Sequence, residues 1–476
     1  MTRLTAAQVQ AGTGGALVAG SGGTLLAGVS IDTRTLRPGD LFFAIRGPNQ
    51  DGHRFIPAAL SAGALGVVAE KGYRHPGPFP PECVLIEVDD THRALKSLAG
   101  SVRSRWSGTL VAVTGSMGKT TTRQFAAELL GAEFPVHQTP GNFNNLYGLP
   151  LALCGLGPHH RMGIFEMGMS AAGEIAEMCR IARPQVGILT NVAPVHLEFF
   201  DSVDSIARAK AELPENLPAG GLLIFNADDE RVRAIAGRYP GKKISFGRSP
   251  AAEVRADGIR ILGPEQTGFE LTCPGYCGPA GIPFAGAHYV MNALPAVALG
   301  CRYGMKPEKI VAGLGKLHPV AMRGGILRFR EGFAAIDDSY NSNPRALTQM
   351  IDTLSEMPYF SRRILVAGEM RELGEGSAGL HFECGLHAAR RGVDLVVGVG
   401  GAAAEIVRAA VESGMPRSRA RFFGDADAAA GFVTECVQPG DLVLIKGSRG
   451  VHMEKIVGSL CSLFPLADGP GPEKNG

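Results

Sequence analysis

The sequence predicts an α/β protein built from three domains. Its 476 residues exceed what one domain of roughly 100 to 200 residues holds. Short apolar runs rich in β-branched residues alternate with helix-like stretches, a pattern typical of mainly parallel sheets covered by helices. The 65 glycines and 31 prolines suit the many short loops that such a fold needs.

The first domain is predicted over residues 1–104 as a small α/β unit. Its one helical segment is RFIPAALSAGA at residues 54–64, and the polar stretch around Ser104 marks its end. Its strand candidates are GVSIDTR, GDLFFAI, ALGVVAE and VLIEVDD.

The second and third domains are predicted over residues 105–317 and 318–476. Each contains four buried strand candidates separated by helix-like stretches, so we expect a mainly parallel sheet in the second and a Rossmann-like sheet in the third. The tail from about residue 467 is expected to be disordered. The strand candidates begin at residues 110, 162, 186 and 222 in the second domain and at 333, 363, 395 and 442 in the third.

Composition and charge exclude several classes of protein. The 47 Lys and Arg against 45 Asp and Glu leave a net charge of +2 with no basic patch, which argues against a nucleic-acid partner. No apolar run reaches the roughly 18 residues of a transmembrane helix, so the chain is expected not to be embedded in a membrane. Nine scattered cysteines suggest no disulfide framework. We expect a cytoplasmic protein.

A phosphate-binding loop is the strongest local motif. In LVAVTGSMGKTTTR, residues 110–123, an apolar strand runs into Gly115 and Gly118, then Lys119 and Thr120, and then a helix. The glycines let backbone N–H groups face phosphates, and the start of the helix adds its positive dipole end. The lysine neutralises phosphoryl charge, and the threonine hydroxyl can ligate Mg²⁺. The sequence therefore predicts a binding site for a nucleoside triphosphate at this loop.

The loop matches the short form GxxGK[ST], because Val113 stands where the longer Walker motif has its first glycine. An ordinary glycine turn between a strand and a helix is the alternative interpretation. If the loop binds ATP, we expect the contacts to come from Thr114, Gly115, Ser116, Met117, Gly118, Lys119, Thr120 and Thr121.

Three more residues are expected on the same rim of the central sheet. Glu166 ends a strand in IFEMGMS, His196 follows the next strand in ILTNVAPVHLEFF, and Lys210 lies on a helix in SIARAKAEL. Catalytic side chains of open parallel sheets gather at the carboxyl ends of the strands, where Mg²⁺ and phosphates also bind. Taken singly, a structural histidine and a solvated lysine are the alternatives. Beside a phosphate loop, the three are interpreted as a catalytic and metal-binding group.

Longer motifs resemble those of the Mur ligase family, ATP-dependent enzymes that form amide bonds in peptidoglycan precursor synthesis. They come from all three predicted domains and cover nearly the whole chain. The motifs are SIDTRTLRPGDLFFAIRG (30–47), DGHRFI (51–56), TPGNFNNLYGLPLAL (139–153), the segment 165–213, IDDSYNSNP (336–344), GEMRELG (368–374) and VLIKGSRGVHMEKIV (443–457).

The resemblance implies a ligase whose first domain takes a uridine nucleotide, whose second is an ATPase and whose third receives the amino component. The segment TPGNFNN resembles members that add D-Ala-D-Ala to UDP-MurNAc-tripeptide through an acyl phosphate. The products would be UDP-MurNAc-pentapeptide, ADP and phosphate. The implied cofactors are ATP and Mg²⁺, the implied partners are the two small-molecule substrates, and a monomer is expected.

The resemblance also implies roles at the ATP site. Thr120 and Glu166 would hold one Mg²⁺, and Glu166 with His196 a second. Lys210 would be carbamylated, which turns a cation into a carboxylate-like metal ligand. The catalytic set would be Lys119, Glu166, His196, Lys210 and Arg323.

Residues outside the phosphate loop are implied in nucleotide binding as well. Asn292 would contact the adenine, Arg323 the γ-phosphate, and Asp338 with Asn341 the nucleotide. A polar residue at a helix start is the alternative for Asn292, and a plain polar loop is the alternative for Asn341.

Substrate contacts follow from the same resemblance. A basic turn in KGSRG would pair with the dipeptide carboxylate through Lys446, Ser448 and Arg449, with a solvated turn as the alternative. An ordinary loop with a salt bridge is the alternative for the residues of the first domain. The implied muramyl-nucleotide contacts are Ser30, Asp32, Arg34, Asp51, His53, Thr139, Asn142, Asn144 and Asn145.

Two rival functions are considered. Another Mur-type ligase or a folylpolyglutamate synthase shares the phosphate loop, the histidine and the lysine, but TPGNFNN and DDSYNSNP argue against both. A protein that uses ATP as a conformational switch would instead hydrolyse ATP without a muramyl nucleotide.

Overall fold

The computed structural model describes residues 3–47, 50–195 and 198–467. Within these ranges the strands form sheets of two, five, nine and six strands, most of them parallel and covered by helices, which confirms the predicted α/β class. None of the helices in these ranges is both long and apolar enough to cross a membrane. The tail expected to be disordered falls outside the described residues from position 468 onward.

The N-terminal part of the chain contains a five-stranded sheet in the order β2-β7-β6-β5-β4, beside a two-stranded ribbon of β1 and β3. Only the β2–β7 pair of the larger sheet is antiparallel. The strands are β1 (Leu4–Thr5), β2 (Ala16–Ala19), β3 (Leu25–Leu26), β4 (Val29–Ser30), β5 (Leu41–Phe43), β6 (Gly66–Glu70) and β7 (Val84–Val88), and the helices are α1 (Ala6–Thr13), α2 (Ile56–Ser61) and α3 (Thr91–Arg105).

Helices α1 and α3 are absent from the sequence-based expectation, which had one helical segment in this region. The Asp90 carboxylate caps α3 by accepting the Arg93 N–H at 2.8 Å. The apolar residues Leu95, Leu98 and Val102 recur at helical spacing and are buried against the central part of the chain. Ser104, near which the domain boundary is predicted, lies in the last turn of this helix.

The central part forms a nine-stranded sheet in the order β16-β15-β14-β13-β12-β11-β8-β10-β9. The strands from β9 to β14 pair in parallel, so their carboxyl ends share one rim. These strands are β8 (Thr109–Thr114), β9 (Val136–Gln138), β10 (Met162–Glu166), β11 (Val186–Leu189), β12 (Leu222–Asn226), β13 (Lys242–Gly247) and β14 (Val254–Gly263).

An antiparallel extension of this sheet is absent from the sequence-based prediction. It consists of β14 paired with β15 (Gln266–Cys273) and β15 paired with β16 (Tyr276–Ile282). The central helices are α4 (Lys119–Gly131), α5 (Gly148–Cys154), α6 (Glu174–Ala182), α7 (Val203–Glu215), α8 (Glu230–Arg238), α9 (Ala287–Arg302) and α10 (Pro307–Leu314).

The C-terminal part forms a six-stranded sheet in the order β17-β18-β22-β19-β20-β21, parallel except for the β17–β18 pair. The strands are β17 (Gly325–Arg328), β18 (Ala334–Asp338), β19 (Arg362–Gly368), β20 (Leu395–Val399), β21 (Ala420–Phe423) and β22 (Asp441–Lys446). The helices are α11 (Pro344–Glu356), α12 (Ser377–Arg390), α13 (Ala403–Glu412), α14 (Ala426–Cys436) and α15 (Glu454–Leu463).

Candidate active site

The phosphate loop connects the buried strand β8 to the start of α4. Gly115 and Gly118 have φ angles of +148° and +78°, which side chains with a Cβ rarely adopt. A Cβ at Gly115 would overlap the Thr190 hydroxyl, and a Cβ at Gly118 would overlap the Asn292 amide oxygen. Glycine is therefore required at both positions, and Asn292 on α9 lies directly against the loop.

A segment following β11 supports the loop from behind. The Asn191 carbonyl accepts the Ser116 N–H at 2.9 Å, and the Asn191 side-chain oxygen accepts the Met117 N–H at 2.9 Å. The Thr190 hydroxyl donates to the Met117 carbonyl at 2.7 Å. The Ser116 and Met117 amides are thus used inside the protein, and the N–H groups at the start of α4 are left for phosphates.

Thr190 and Asn191 are supporting residues that sequence reasoning missed. The available signal was a polar pair directly after the buried run VGIL, at the same rim as Glu166.

Lys119 bends back over the loop that precedes it. Its ammonium donates to the carbonyls of Gly115 at 2.9 Å and Ser116 at 3.3 Å. Burial lowers the pKa of Lys119, the charge of Glu166 opposes this shift, and the charge of Arg323 adds to it. The charges of Lys119, Glu166 and Arg323 therefore act on one another, and these are three of the five residues that the family resemblance implies as the catalytic set.

Glu166 is the buried anion of the site, with 2% of its surface exposed. Its Oε2 accepts the Thr120 hydroxyl at 2.7 Å, and its Oε1 accepts the Asn144 amide at 2.8 Å. Its backbone N–H donates to the Thr139 hydroxyl at 3.0 Å. Thr139 and Asn144, which the family resemblance assigned to the muramyl nucleotide, thus contact the carboxylate residue of the ATP site.

Lys210 is 2% exposed, and the described ranges place no carboxylate within ion-pair distance of its ammonium. Burial lowers the pKa of Lys210 well below its usual value, and the charge of Lys119 lowers it further. His196 lies outside the described residues. Among the residues that are described, no three His, Cys, Asp or Glu side chains cluster as a metal site.

Arg323 lies on the C-terminal side of α10, the last helix of the central part of the chain. Its carbonyl accepts the Tyr289 hydroxyl at 2.8 Å, which ties it to the start of α9. Its guanidinium lies 4.2 Å from the ring centroid of Tyr340, at a distance that permits a cation–π contact. Tyr340 in DDSYNSNP is a further residue that sequence reasoning missed.

Lys446 and Asp338 form a buried ion pair with a nitrogen–oxygen distance of 2.6 Å. The same ammonium donates to the Asn341 carbonyl at 2.8 Å, and Lys446 is 3% exposed. The structure therefore places Lys446, a predicted dipeptide residue, with the two predicted nucleotide residues Asp338 and Asn341.

The turn KGSRG is joined to the loop GEMRELG. The Ser448 hydroxyl accepts the Arg371 N–H at 2.9 Å, and the Ser448 N–H donates to the Glu369 carbonyl at 3.1 Å. Ser448 is buried, whereas the side chains of Arg449 and Arg371 are 57% and 56% exposed. Arg449 is thus the member of the predicted dipeptide group that presents a charge to solvent, and Arg371 is an exposed cation that sequence reasoning missed.

Two local groups form from the predicted nucleotide residues of the N-terminal part. Ser30 donates its hydroxyl to the Asp32 carbonyl at 3.0 Å, and Arg34 pairs with the Asp32 carboxylate at 2.6 Å, which lowers the pKa of Asp32. His53 contacts the Asp51 carboxylate through Nδ1 at 2.6 Å, and its Nε2 accepts the Glu70 N–H at 2.9 Å. No hydrogen bond or ion pair of the described residues joins either group to the phosphate loop.

The other two predicted nucleotide residues lie in TPGNFNN. Asn145 is committed locally, since its side-chain oxygen accepts the N–H groups of Tyr147 at 3.1 Å and Gly148 at 2.8 Å at the start of α5. Asn142 is exposed, and so is its neighbour Phe143. The tip of this loop is therefore the part that faces solvent.

Comparison with known proteins decides the family. The models of the Mur ligase middle domain, the Mur ligase glutamate ligase domain and the Mur ligase family catalytic domain match residues 113–300, 322–449 and 26–103. A UDP-N-acetylmuramoyl-tripeptide--D-alanyl-D-alanine ligase of Bacillus subtilis (strain 168) is 33% identical over 434 residues, covering 91% of this chain and 93% of the relative. The chain belongs to the Mur ligase family.

Other Mur ligases agree with this assignment. A ligase with the same description from Escherichia coli (strain K12) is 33% identical, and the match covers 91% of this chain and 93% of the relative. A crystal structure of MurF from Acinetobacter baumannii has a TM-score of 0.84 at 28% identity, covering 97% and 99% of the two chains. The MurF ligase of Thermotoga maritima in complex with ADP has a TM-score of 0.78 at 28% identity, covering 91% and 96%.

Within the Mur ligase family, each matched range carries one group of candidate residues. The first range includes Ser30 to His53, the middle range includes the phosphate loop with Glu166 and Asn292, and the last range begins one residue before Arg323 and ends at Arg449. The resemblance expected from the motifs is thereby confirmed.

Proposed function

We propose that this chain is an ATP-dependent ligase that adds D-Ala-D-Ala to UDP-MurNAc-tripeptide. The relatives with this name that match over most of the chain support the substrate class. The observation that carries the chemistry is the contact between Thr120 and Glu166, because it places a buried carboxylate beside the phosphate loop. The product is UDP-MurNAc-pentapeptide, a precursor of peptidoglycan and hence a requirement for cell shape and division.

Each of the three parts of the chain binds a different substrate. Residues 1–104 bind the uridine nucleotide, residues 105–317 bind ATP, and residues 318–476 receive the dipeptide. The T. maritima relative, whose structure holds ADP, supports nucleotide binding by this fold. The enzyme works on small-molecule substrates in the cytoplasm as a monomer, which light scattering on the purified protein tests directly.

The reaction begins when the terminal carboxylate of the tripeptide attacks the γ-phosphorus of ATP and ADP leaves. Two anions must approach each other, so positioning and charge neutralisation are the main tasks of the protein. Lys119 and Arg323 supply fixed positive charge, and the N–H groups at the start of α4 supply the dipole that binds phosphate. Asn292, placed against Gly118, orients the adenine side of the nucleotide.

The acyl phosphate then reacts with the amine of D-Ala-D-Ala. The amine attacks the carbonyl carbon, a proton leaves the nitrogen, and the tetrahedral intermediate expels phosphate with the electrons of the carbon–oxygen bond. Arg449 pairs with Glu454 at 3.3 Å but is 57% exposed, so it can also reach the dipeptide carboxylate, whereas Lys446 and Ser448 are buried and shape the turn that carries Arg449.

The residues around Glu166 fit a Mg²⁺ ion. Thr120 and Glu166 provide a hydroxyl and a carboxylate, which are the hard oxygen ligands that Mg²⁺ prefers. His196 and a carbamylated Lys210 complete the proposed ligand group. When bound, Mg²⁺ neutralises charge that develops on the transferred phosphoryl group.

Lys210 has the properties that carbamylation requires. Carbon dioxide reacts with a neutral amine, and burial favours the neutral form of Lys210 by lowering its pKa. The neutral amine nitrogen forms a bond to the carbon of CO₂ and releases one proton to solvent, so the product is a carbamate anion. Relative to the protonated lysine, two protons are lost. The modified side chain offers an oxygen ligand where the unmodified ammonium would repel a metal ion.

Phosphate release tests the proposal. The purified protein is incubated with ATP, Mg²⁺ and UDP-MurNAc-tripeptide, with and without D-Ala-D-Ala. Released phosphate is measured, and the products are identified by mass spectrometry. Dipeptide-dependent phosphate together with UDP-MurNAc-pentapeptide is the expected result. Turnover with a different amino acid would indicate another Mur-type ligase, and hydrolysis independent of both substrates would indicate an ATP switch.

A further inference from the structure

Arg123 is a buried cation to which the site described above gives no task. It lies on α4, three residues after Thr120 and therefore on the same face of the helix. The residue is 5% exposed. A buried arginine ordinarily has its donors satisfied, because unpaired buried charge is costly.

One of the guanidinium nitrogens of Arg123 has a hydrogen-bond partner, and another buried one has none within the described ranges. Its Nη1 donates to the carbonyl of Thr139, while its buried Nε has no hydrogen-bond partner among the described residues. The charges that act on it most strongly are those of Glu166 and Arg323. The guanidinium therefore lies in the electrostatic environment of the phosphate site, on the side that faces Thr139.

Thr139 uses all of its polar groups in holding this arrangement. Its N–H donates to the Ile164 carbonyl at 3.1 Å, its hydroxyl accepts the Glu166 N–H at 3.0 Å, and its carbonyl accepts Arg123. Thr139 is fully buried. The first residue of TPGNFNN is thus fixed to both α4 and the end of β10.

The same loop returns to Glu166 through Asn144. The Asn144 amide donates to Glu166 Oε1 at 2.8 Å, and the Asn144 carbonyl accepts the Gly168 N–H at 2.7 Å. Between these two anchors, Asn142 and Phe143 are exposed. A ligand that contacts the tip of the loop would therefore shift the positions of Thr139 and Asn144, the two loop residues that hydrogen-bond to Glu166.

We infer that Arg123 is a positioning residue that couples the phosphate loop to the segment 139–145 and, through Thr139, holds Glu166 for Mg²⁺ and ATP. Helix α4 carries both contacts, Thr120 to the carboxylate of Glu166 and Arg123 to the segment that supports its backbone. The identity of the ligand at the loop tip, the muramyl nucleotide, rests on the proposed function. The effect on Mg²⁺ and ATP rests only on the proposed ATP site, not on the proposed substrates.

The test compares Arg123→Met, Arg123→Lys and a matched control, Arg103→Met. Arg103 on α3 is also a buried arginine, 6% exposed, and its guanidinium donates to the carbonyls of Ala182 at the end of α6 and of Trp106 directly after α3. Binding of a fluorescent ATP analogue is titrated in Mg²⁺ and again in EDTA, without any muramyl substrate. Melting temperatures of all variants report stability separately.

Arg123→Met is expected to weaken Mg²⁺-dependent ATP binding about tenfold or more, while binding in EDTA changes less, because supporting residues typically alter metal affinity by this amount. Arg123→Lys keeps the charge and is expected to recover most of the affinity. Arg103→Met is expected to lower the melting temperature with ATP binding unchanged. Unaltered Mg²⁺-dependent binding in Arg123→Met, or equal weakening in Arg103→Met, would overturn the inference.

Thr139→Val keeps the inference testable if Arg123→Met does not fold. This variant removes the hydroxyl that accepts the Glu166 N–H without exposing a buried cation, and it is expected to weaken Mg²⁺-dependent ATP binding in the same direction. In variants that turn over, the KM for UDP-MurNAc-tripeptide is also expected to rise, as the loop tip loses its anchor. Wild-type protein that binds Mg²⁺ and ATP but makes no pentapeptide would refute the proposed function and leave this inference standing.

Discussion

The ammonium of Lys446 lies 2.6 Å from the carboxylate of Asp338, and both side chains are largely buried. This pair joins the ends of the neighbouring parallel strands β18 and β22. A lysine held in this way is committed to the protein rather than to a ligand. The pair of Arg449 with Glu454 is longer, at 3.3 Å, and more exposed, so the geometry favours Arg449 over Lys446 as the partner of the dipeptide carboxylate.

Lys446→Met is expected to destabilise the protein by about 3 kcal/mol, because it leaves the Asp338 carboxylate buried without its cation. Urea unfolding measures the change. The control is Lys455→Met, which breaks an exposed pair with Asp427 at 2.6 Å and should cost under about 1 kcal/mol. A Lys446→Met protein of normal stability with a raised KM for D-Ala-D-Ala would show that Lys446 binds the dipeptide after all.

Gly118→Ala is expected to reduce ATP affinity about tenfold or more, since a Cβ is strained in the left-handed region and would overlap Asn292. Gly131→Ala at the other end of α4 is the matched control, because no atom lies within 4 Å of the added Cβ. Calorimetric titration with ATP checks both variants. Equal affinity in the two would mean that the loop does not bind phosphate in this conformation.

Lys210→Ala is expected to lower kcat about 100-fold, because the site loses the group that becomes a metal ligand. Acetate should restore part of the activity by supplying a small carboxylate in the vacated space. Lys96→Ala is the control, since Lys96 pairs with Glu177 at 2.7 Å on another helix. Normal activity and Mg²⁺ dependence in Lys210→Ala would contradict the carbamylation proposal.

The melting temperature is expected to fall as the pH is lowered from 6.5 toward 4, in part because of His160. Burial, with the nearby His137 and His159, lowers the pKa of His160 from 6.5 to about 4. The unfolded chain therefore binds the proton more readily than the folded chain, and stability is lost over this interval. Protonation also conflicts with Nδ1, which accepts the Gly157 N–H at 2.9 Å.

His160→Asn should flatten part of this pH dependence, and His318→Asn, at a position that is 78% exposed, is the control substitution. Thermal unfolding at several pH values measures both. An unchanged pH profile in His160→Asn would assign the acid sensitivity to other groups.

Much of the fold follows from strong local patterns. The parallel strands of the central and C-terminal sheets are buried on both faces, so they appear in the sequence as continuous apolar runs. The pairing of Thr120 with Glu166 follows from the same logic, because a phosphate loop and a neighbouring strand end share one rim.

Other features depend on contacts between distant residues that no local pattern encodes. Lys446 and Asp338 are separated by 108 positions, and a lysine at a strand end is equally compatible with a ligand or an ion pair. Asn144 appears in a loop rich in polar residues, where only the folded chain distinguishes the side chain that faces Glu166 from those that face solvent. The hairpins from Val254 to Ile282 were missed because their strands alternate in burial and lack a continuous apolar run.

The most direct test of ATP-dependent ligation follows the oxygen of the substrate. UDP-MurNAc-tripeptide labelled with ¹⁸O in its terminal carboxylate is incubated with ATP, Mg²⁺ and D-Ala-D-Ala, and both products are examined by mass spectrometry. Formation of an acyl phosphate predicts one ¹⁸O atom in each released phosphate, in equal amount with UDP-MurNAc-pentapeptide. Unlabelled phosphate released without pentapeptide would contradict the ligase mechanism and indicate hydrolysis of ATP by water.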